Sequence, residues 1–202
     1  MKLYYSPGAC SLSPHIVLRE LGLEFELVKT DIRAKKTENG DDYFQINPKG
    51  QVPALLLDSG DLITEGVAIT QYLADTHQDK GLAPAAPSIE RAKLVGVLNY
   101  IAAEYHKSFS PLFNPMASDE VKAFALGNVK LRLDYLEKEL SDGREFIMGD
   151  KFTIADAYLF TVTNWVNHVG LKLVDWINLA NYSKRIAGRP AVQAALKAEG
   201  LI

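Results

Sequence analysis

An apolar run entered through a proline narrows the folds open to this chain more than any other feature: Gly50-Gln51-Val52-Pro53-Ala54-Leu55-Leu56-Leu57. Proline has no backbone N–H and is confined to sheet edges, first strand positions or bulges, so Pro53 marks the entrance of a strand. The Val52-Pro53 bond has two readings. In trans it is structural only. In cis it turns the Val52 N–H and C=O outward, unpaired by the sheet, and makes an edge on which a peptide-like ligand can dock.

The elements before and after this strand set its context. Leu3 to Tyr5 reads as a buried strand, followed by Ser6-Pro7-Gly8, whose proline and glycine suit a type II turn. Ser13 as N-cap, Pro14 at the first helical position and Gly22 as the stop bracket a helix through Ile16, Val17, Leu18 and Leu21. Cys10 therefore falls just ahead of a helix N-terminus. A second strand over Leu23 to Lys29 completes a βαβ unit with parallel strands. A polar loop carrying Arg33, Lys35 and Lys36 leads to a short helix over Asp41 to Ile46, ended by Pro48-Lys49-Gly50. Ala54 to Leu57 and Leu62 to Thr64 form an antiparallel pair across the Asp58-Ser59-Gly60-Asp61 loop. Glu65-Gly66 then opens a helix that finishes near Thr76, and the order is βαβαββα.

Beyond it, Gly81 to Pro87 breaks all periodicity with one glycine and two prolines and reads as a linker. Everything from Ser88 onward has helical patterning: Ser88 to Pro111, Ser118 to Ser141, Thr153 to His168, Asp175 to Gly188 and a last piece from Pro190. The expected organisation is an α/β domain over residues 1–80, a linker over 81–87 and an all-α domain over 88–202. A chain of 202 residues with 48% apolar and 23% charged residues can bury a core in each.

Composition removes several functions. A net charge of −3 gives no basic surface for nucleic acid. No run approaches the roughly 18 apolar residues of a membrane span. Leu3-Tyr4-Tyr5 stands where a secretory signal would have its charged region and long apolar core, so the chain reads as cytoplasmic. Cys10 is the only cysteine, which excludes internal disulfides and any Cys-x-x-Cys redox or zinc pair. A lone cysteine is either packing or chemistry.

Taken together, these residues resemble a glutathione transferase, and closely its bacterial beta class, over essentially the whole chain. The βαβαββα unit with its Val52-Pro53 turn, the Glu65-Gly66-Val67-Ala68-Ile69 strand-to-helix motif and the all-helical second part follow the family's pattern. Cys10 with His106, where other classes present tyrosine or serine, resembles the beta class. Thr153-Ile154-Ala155-Asp156 is a further family mark, readable as a capping box that serves folding. The resemblance implies a thioredoxin-like N-terminal domain, glutathione as co-substrate with no metal, small electrophiles as second substrates, and a homodimer.

Roles follow residue by residue. A thiol before a helix N-terminus faces N–H donors and a positive dipole end, which favour the thiolate. A helix end contributes at most about 2 kcal/mol, so a charge-assisted hydrogen bond is also needed, with Ser11 and His106 as candidates. On one long helix Leu94, Leu98, Ile101, Tyr105 and Phe109 form an apolar stripe, while Asn99, Ala103, His106 and Ser110 share a more polar face. The resemblance implies that this polar face turns toward glutathione, with His106 hydrogen-bonding the thiol or thiolate. It also implies that Glu65 and the Gly66 N–H receive the γ-glutamyl end, that Val52 beside Pro53 pairs its backbone with the cysteinyl part, and that Lys35 meets the glycyl carboxylate. Glu104 is carried over as a group reaching a neighbouring subunit's ligand. The electrophile is expected near Tyr105, Phe109, Phe113 and Trp165. Two rival readings share the fold: a glutathione-dependent thiol–disulfide oxidoreductase or peroxidase working through Cys10, and a non-catalytic relative.

Overall fold

The computed structural model describes residues 1–202, which gather into two compact units: Met1–Ala83 together with Gly188–Ile202, and Pro84–Ala187. The first unit is built on a five-stranded sheet of β1 (Lys2–Tyr5), β2 (Glu26–Asp31), β3 (Lys36–Thr37), β4 (Ala54–Leu56) and β5 (Leu62–Thr64), in the order β3-β2-β1-β4-β5. β1 and β2 are parallel, with Leu3 opposite Leu27, and β4 and β5 are antiparallel, with Leu55 opposite Ile63, as the pattern requires. The two-residue β3, antiparallel to β2, was not foreseen, because a pair this short leaves no alternation to read. Leu3 and Leu55 are fully buried.

Helix α1 (Leu12–Leu21) ends at Gly22, which adopts the left-handed conformation with φ of 71° that glycine reaches without a steric cost. Its start lies two residues earlier than the Ser13-Pro14 signal. Ser11 occupies the cap position, Pro14 sits at the third helical residue, where an N–H has no intrahelical partner in any case, and Ser13 Oγ is left buried without a hydrogen-bond partner. Helices α2 (Tyr43–Ile46) and α3 (Gly66–Thr76) complete the βαβ-derived order.

The last helix, α8 (Pro190–Ala198), corrects the domain expectation. Residues 188–202 belong with the first unit, not with the helical one. The reason is specific: Glu199 is fully buried, accepts from His15 Nδ1 at 2.8 Å with one oxygen and from the Gly8 N–H at 2.9 Å with the other. Arg189 makes a bidentate pair with Glu20 at 2.7 and 2.9 Å.

The second unit contains α4 (Ile89–Tyr100), α5 (Asp119–Glu139), α6 (Ile154–Thr163) and α7 (Ile177–Ala187). The stripe Leu94, Leu98, Ile101, Tyr105 and Phe109 is buried, as its spacing demands. The long first helix does not run unbroken to Pro111. At Ile101–His106 it passes into a π-helical turn, a form that is rare and recurs at functional sites. Thr153 and Asp156 form the anticipated capping box: Thr153 Oγ1 accepts from the Ala155 N–H at 3.3 Å and Asp156 Oδ2 accepts from the Thr153 N–H at 2.7 Å. No helix is long and apolar enough to cross a membrane.

Candidate functional site

In the first unit the thiol, the proline turn and the entry of α3 converge through the sheet. β1 delivers the chain to the Ser6–Cys10 turn, and its antiparallel neighbour β4 starts immediately after Val52-Pro53, whose peptide bond is cis. The Cys10 S–H, partly exposed, donates to the Val52 carbonyl oxygen at 3.3 Å. A thiolate cannot make that bond, so ionisation of Cys10 requires the contact to break or be replaced.

Two sequence-based expectations about this thiol change. The first N–H groups of α1 are already engaged, Leu12 with the Ala9 carbonyl at 3.0 Å and Ser13 with that of Cys10 at 3.2 Å, so they are not presented to sulfur. The Ser11 hydroxyl, assigned as a catalytic donor, is buried and closes on Ser6 instead: it accepts from the Ser6 N–H at 3.1 Å and donates to the Ser6 carbonyl at 3.2 Å. Ser11 holds the turn that carries Cys10.

The segment between α2 and β4 is fixed from several sides. Asn47 Nδ2 and the Tyr43 hydroxyl both donate to the Gln51 carbonyl, at 2.7 and 3.0 Å. Lys35 donates from Nζ to the Gly50 carbonyl at 2.8 Å, and its ammonium lies 5.8 Å from the centre of the Phe44 ring. Gly50 has φ of 62°, and a Cβ there would stand 2.7 Å from the Phe44 ring, so no side chain fits without moving it. Lys35 thus lies beside the Val52 turn.

Glu65 caps α3 with its backbone at φ 71° and ψ 117°, a conformation L-residues adopt only at a cost and one that clusters at ligand sites. Its exposed carboxylate meets Lys49 Nζ at 2.6 Å, and Lys49 also donates to Thr64 Oγ1 at 3.1 Å. Lys49 was not singled out from the sequence, where it reads as part of a Pro-Lys-Gly stop. Gly66 begins α3 with its N–H in the first turn, beside Pro53.

In the helical unit the polar face is brought out as expected in part. Asn99 and Ala103 are exposed and His106 is half-buried. Glu104 is committed within its own chain, accepting from Arg132 at 2.6 Å. His106 Nδ1 lies 2.7 Å from the Tyr158 hydroxyl, and its ring packs edge-on against Tyr158 and Trp165, with centroids 5.9 and 4.8 Å away. Burial among these rings pushes the imidazole down to about 4 from its ordinary 6.5, so it is neutral at pH 7. The Tyr158 contact engages Nδ1, and Nε2 is the ring's other hydrogen-bonding atom.

Tyr158 was not anticipated. It lies 52 residues from His106, and no local spacing links them. Of the four aromatics expected around an electrophile, Tyr105 is wholly buried with its hydroxyl on Thr163 at 3.4 Å, and Phe109 is core as well. Phe113, 49% exposed, and the half-buried Trp165 stand edge to face at 5.8 Å and present apolar surface.

A mixed sheet with a cis-proline turn facing a thiol ahead of the first helix, followed by an all-helical unit, defines a thioredoxin-like domain joined to a helical partner. Residues 1–75 match the family described as Glutathione S-transferase, N-terminal domain, and residues 100–190 match its C-terminal domain. The chain belongs to the glutathione S-transferase family. Glutathione S-transferase GstA of Escherichia coli O157:H7 is 54% identical over 201 residues, with the whole of both chains covered. Two solved structures are similar throughout. The bacterial beta-class enzyme of Sphingomonas chungbukensis has 50% identity and a TM-score of 0.97, and a sphingomonad glutathione S-transferase complexed with glutathione has 50% identity and a TM-score of 0.96; both alignments cover all of each chain.

Proposed function

We propose that this protein is a glutathione transferase, joining the glutathione sulfur to an electrophilic carbon of a small, mostly apolar substrate. The observation that carries this reading is the Cys10 thiol donating to the carbonyl of Val52 ahead of a cis proline. It couples the only thiol of the protein to the backbone group suited to pair with the cysteinyl part of a tripeptide. Lys35 beside that turn takes the glycyl carboxylate, and Glu65 with the Gly66 N–H takes the γ-glutamyl end at the start of α3. The beta-class resemblance assigns His106 to the sulfur, Asn99 and Ala103 to the surroundings of glutathione, and Glu104 to a neighbouring subunit's ligand. Activation is electrostatic: a donor aimed at sulfur lowers the free energy of the thiolate that attacks. The working form is a cytoplasmic homodimer, as the beta-class resemblance implies.

Cys10 has a second role in this reading. Its partly exposed thiol can exchange with oxidised glutathione: the Cys10 thiolate attacks one sulfur, a protein–glutathione disulfide forms and one glutathione leaves as thiolate. The test is calorimetric titration with reduced glutathione, followed by turnover of a chloronitroarene and by intact-protein mass after exposure to oxidised glutathione. Parent protein and Cys10→Ala are both expected to bind and conjugate, and only the parent to gain a reducible glutathione adduct. Absence of glutathione binding by the parent would sink the transferase reading. Conjugation lost in Cys10→Ala, with disulfide reductase turnover in the parent, would favour an oxidoreductase.

Gly66 gives a second check on the γ-glutamyl clamp. A Cβ here would meet Pro53 Cγ at 3.6 Å, an ordinary contact, so serine fits without strain. Gly66→Ser adds a hydroxyl at the helix start and is expected to tighten glutathione binding roughly 3- to 10-fold, the worth of one net hydrogen bond. Unchanged or weaker binding in the same titration would remove the γ-glutamyl carboxylate from this position.

A further inference from the structure

The Gln51 carbonyl is held from the core by two donors. Tyr43 and Asn47, 0% and 2% exposed, direct their side chains at this one oxygen, the hydroxyl at 3.0 Å and Nδ2 at 2.7 Å. Two accepted bonds use both lone pairs of a carbonyl. Burial pushes the Tyr43 hydroxyl up to about 12, so it keeps its proton and stays a donor at neutral pH. Both residues are themselves anchored. The Tyr43 N–H donates to the Lys35 carbonyl at 2.8 Å, the Asn47 N–H to the Tyr43 carbonyl at 2.8 Å, and Asn47 Oδ1 accepts from the Lys49 N–H at 3.1 Å. The Tyr43 ring also packs in one buried cluster with Tyr4, Val28, Ala54 and the Val52 side chain.

A peptide bond is a rigid plane, and in the trans Gln51–Val52 peptide the C=O and the following N–H point in opposite directions. Fixing the Gln51 oxygen toward Tyr43 and Asn47 therefore fixes the Val52 N–H away from them, and no hydrogen bond within the chain uses that N–H. We propose that Tyr43 and Asn47 are positioning residues of the glutathione site, which aim the Val52 N–H at the cysteinyl carbonyl of the ligand by gripping the Gln51 carbonyl from the core. This rests on the transferase reading above. A loose peptide plane would have to be ordered when the ligand binds, and that ordering would subtract from affinity. A plane held by two buried donors is ordered before the ligand arrives. Tyr43 acts a second time through its N–H, which ties the Lys35 backbone. One core residue thus sets the spacing between the groups assigned to the cysteinyl and glycyl parts of the ligand.

The test observes the Val52 N–H itself. Parent, Tyr43→Phe and Asn47→Asp carry isotope-labelled valine, and the Val52 signal is identified by its absence from Val52→Ile. Reduced glutathione is titrated by NMR and by calorimetry, with kcat and KM for glutathione determined alongside. In the parent the Val52 amide proton is expected to move downfield at saturating glutathione, the mark of a new hydrogen bond. Tyr43→Phe removes one donor to Gln51. It is expected to weaken glutathione roughly 3- to 10-fold, to raise KM by the same factor with kcat unchanged, and to shrink the Val52 shift at saturation. Asn47→Asp keeps the acceptor for the Lys49 N–H but turns an oxygen toward the Gln51 carbonyl, and should weaken glutathione by about tenfold or more. If Asn47→Asp does not fold, Tyr43→Phe decides alone. An unmoved Val52 signal in the glutathione-bound parent overturns the proposal, as does parental affinity in Tyr43→Phe. So does weaker binding with the full parental Val52 shift, which would make Tyr43 and Asn47 supports of the fold only. Failure of the parent to bind glutathione at all is a different result and removes the transferase reading itself.

Discussion

Asp156→Ala is expected to cost about 3–5 kcal/mol of unfolding free energy, the usual penalty for stripping one partner from a buried ionic and hydrogen-bonded group. Asp156 is fully buried at the head of α6, and its two oxygens serve four donors. Oδ1 accepts from the Ile147 N–H and the Tyr182 hydroxyl, each at 2.8 Å, and Oδ2 from the Thr153 N–H at 2.7 Å and the Thr153 hydroxyl at 3.0 Å. Burial pushes this carboxyl up and the four donors pull it down. Alanine would leave all four donors facing a void. For a chain of this size the midpoint should fall by roughly 10 °C or more in a thermal melt. Asp156→Asn keeps the shape but turns one acceptor into a donor, and should fall between the two. A loss under about 1 kcal/mol in urea titration of the alanine variant would show that the capping box is not the tie between α6, the Ile147 segment and α7.

Replacing His106 by alanine should lower kcat for conjugation by roughly 100- to 1,000-fold, the effect of losing one aimed donor at a developing or held anion. Because the ring is neutral in the folded protein, activity should show no acid limb near 6.5; a limb from this group belongs near 4. The same shift sets a stability dependence. Folded His106 binds its proton only near pH 4, whereas the unfolded chain binds one near 6.5. Between those values the unfolded state holds more protons, so stability rises with pH through the window and is lost as pH falls through it. Tyr158→Phe removes the hydroxyl 2.7 Å from Nδ1 and frees the tautomer, so it should give a smaller kcat loss and move the acid limb. Wild-type kcat in His106→Ala would end the assignment of this histidine as the donor to sulfur.

What could be read in advance was whatever is written locally. Gly22 stops α1 because a left-handed residue is needed there; Leu94, Leu98, Ile101, Tyr105 and Phe109 keep a helical period and are buried; Thr153 and Asp156 stand three apart and cap α6. Cys10, Val52 and Glu65 were singled out in the sequence because each sits next to a turn or helix-start signal. The misses share a different cause. Tyr158 reaches His106 across 52 residues and Glu199 reaches His15 across 184, and no window on the sequence contains both partners. Lys49 was hidden by its role as turn punctuation, since nothing in Pro-Lys-Gly says which carboxylate the side chain will meet. Ser11 was misread for the opposite reason: its position beside Cys10 suggested chemistry, while its hydroxyl satisfies the backbone of Ser6.

The closure of α8 onto α1 has a consequence for synthesis. A ribosome adds about 5–20 residues per second, so Glu199 emerges roughly 6–25 s after the βαβαββα segment is complete. Until then His15 lacks the carboxylate on its Nδ1, Glu20 lacks Arg189, and the Gly8 N–H in the turn that leads to Cys10 lacks its acceptor. The nascent first unit therefore waits, its thiol-bearing turn held by Ser11 but without the Glu199 tie, while the whole helical unit is made. Glu199 is in effect a late clasp: the turn that carries Cys10 gains this tie only after the whole helical unit has been made.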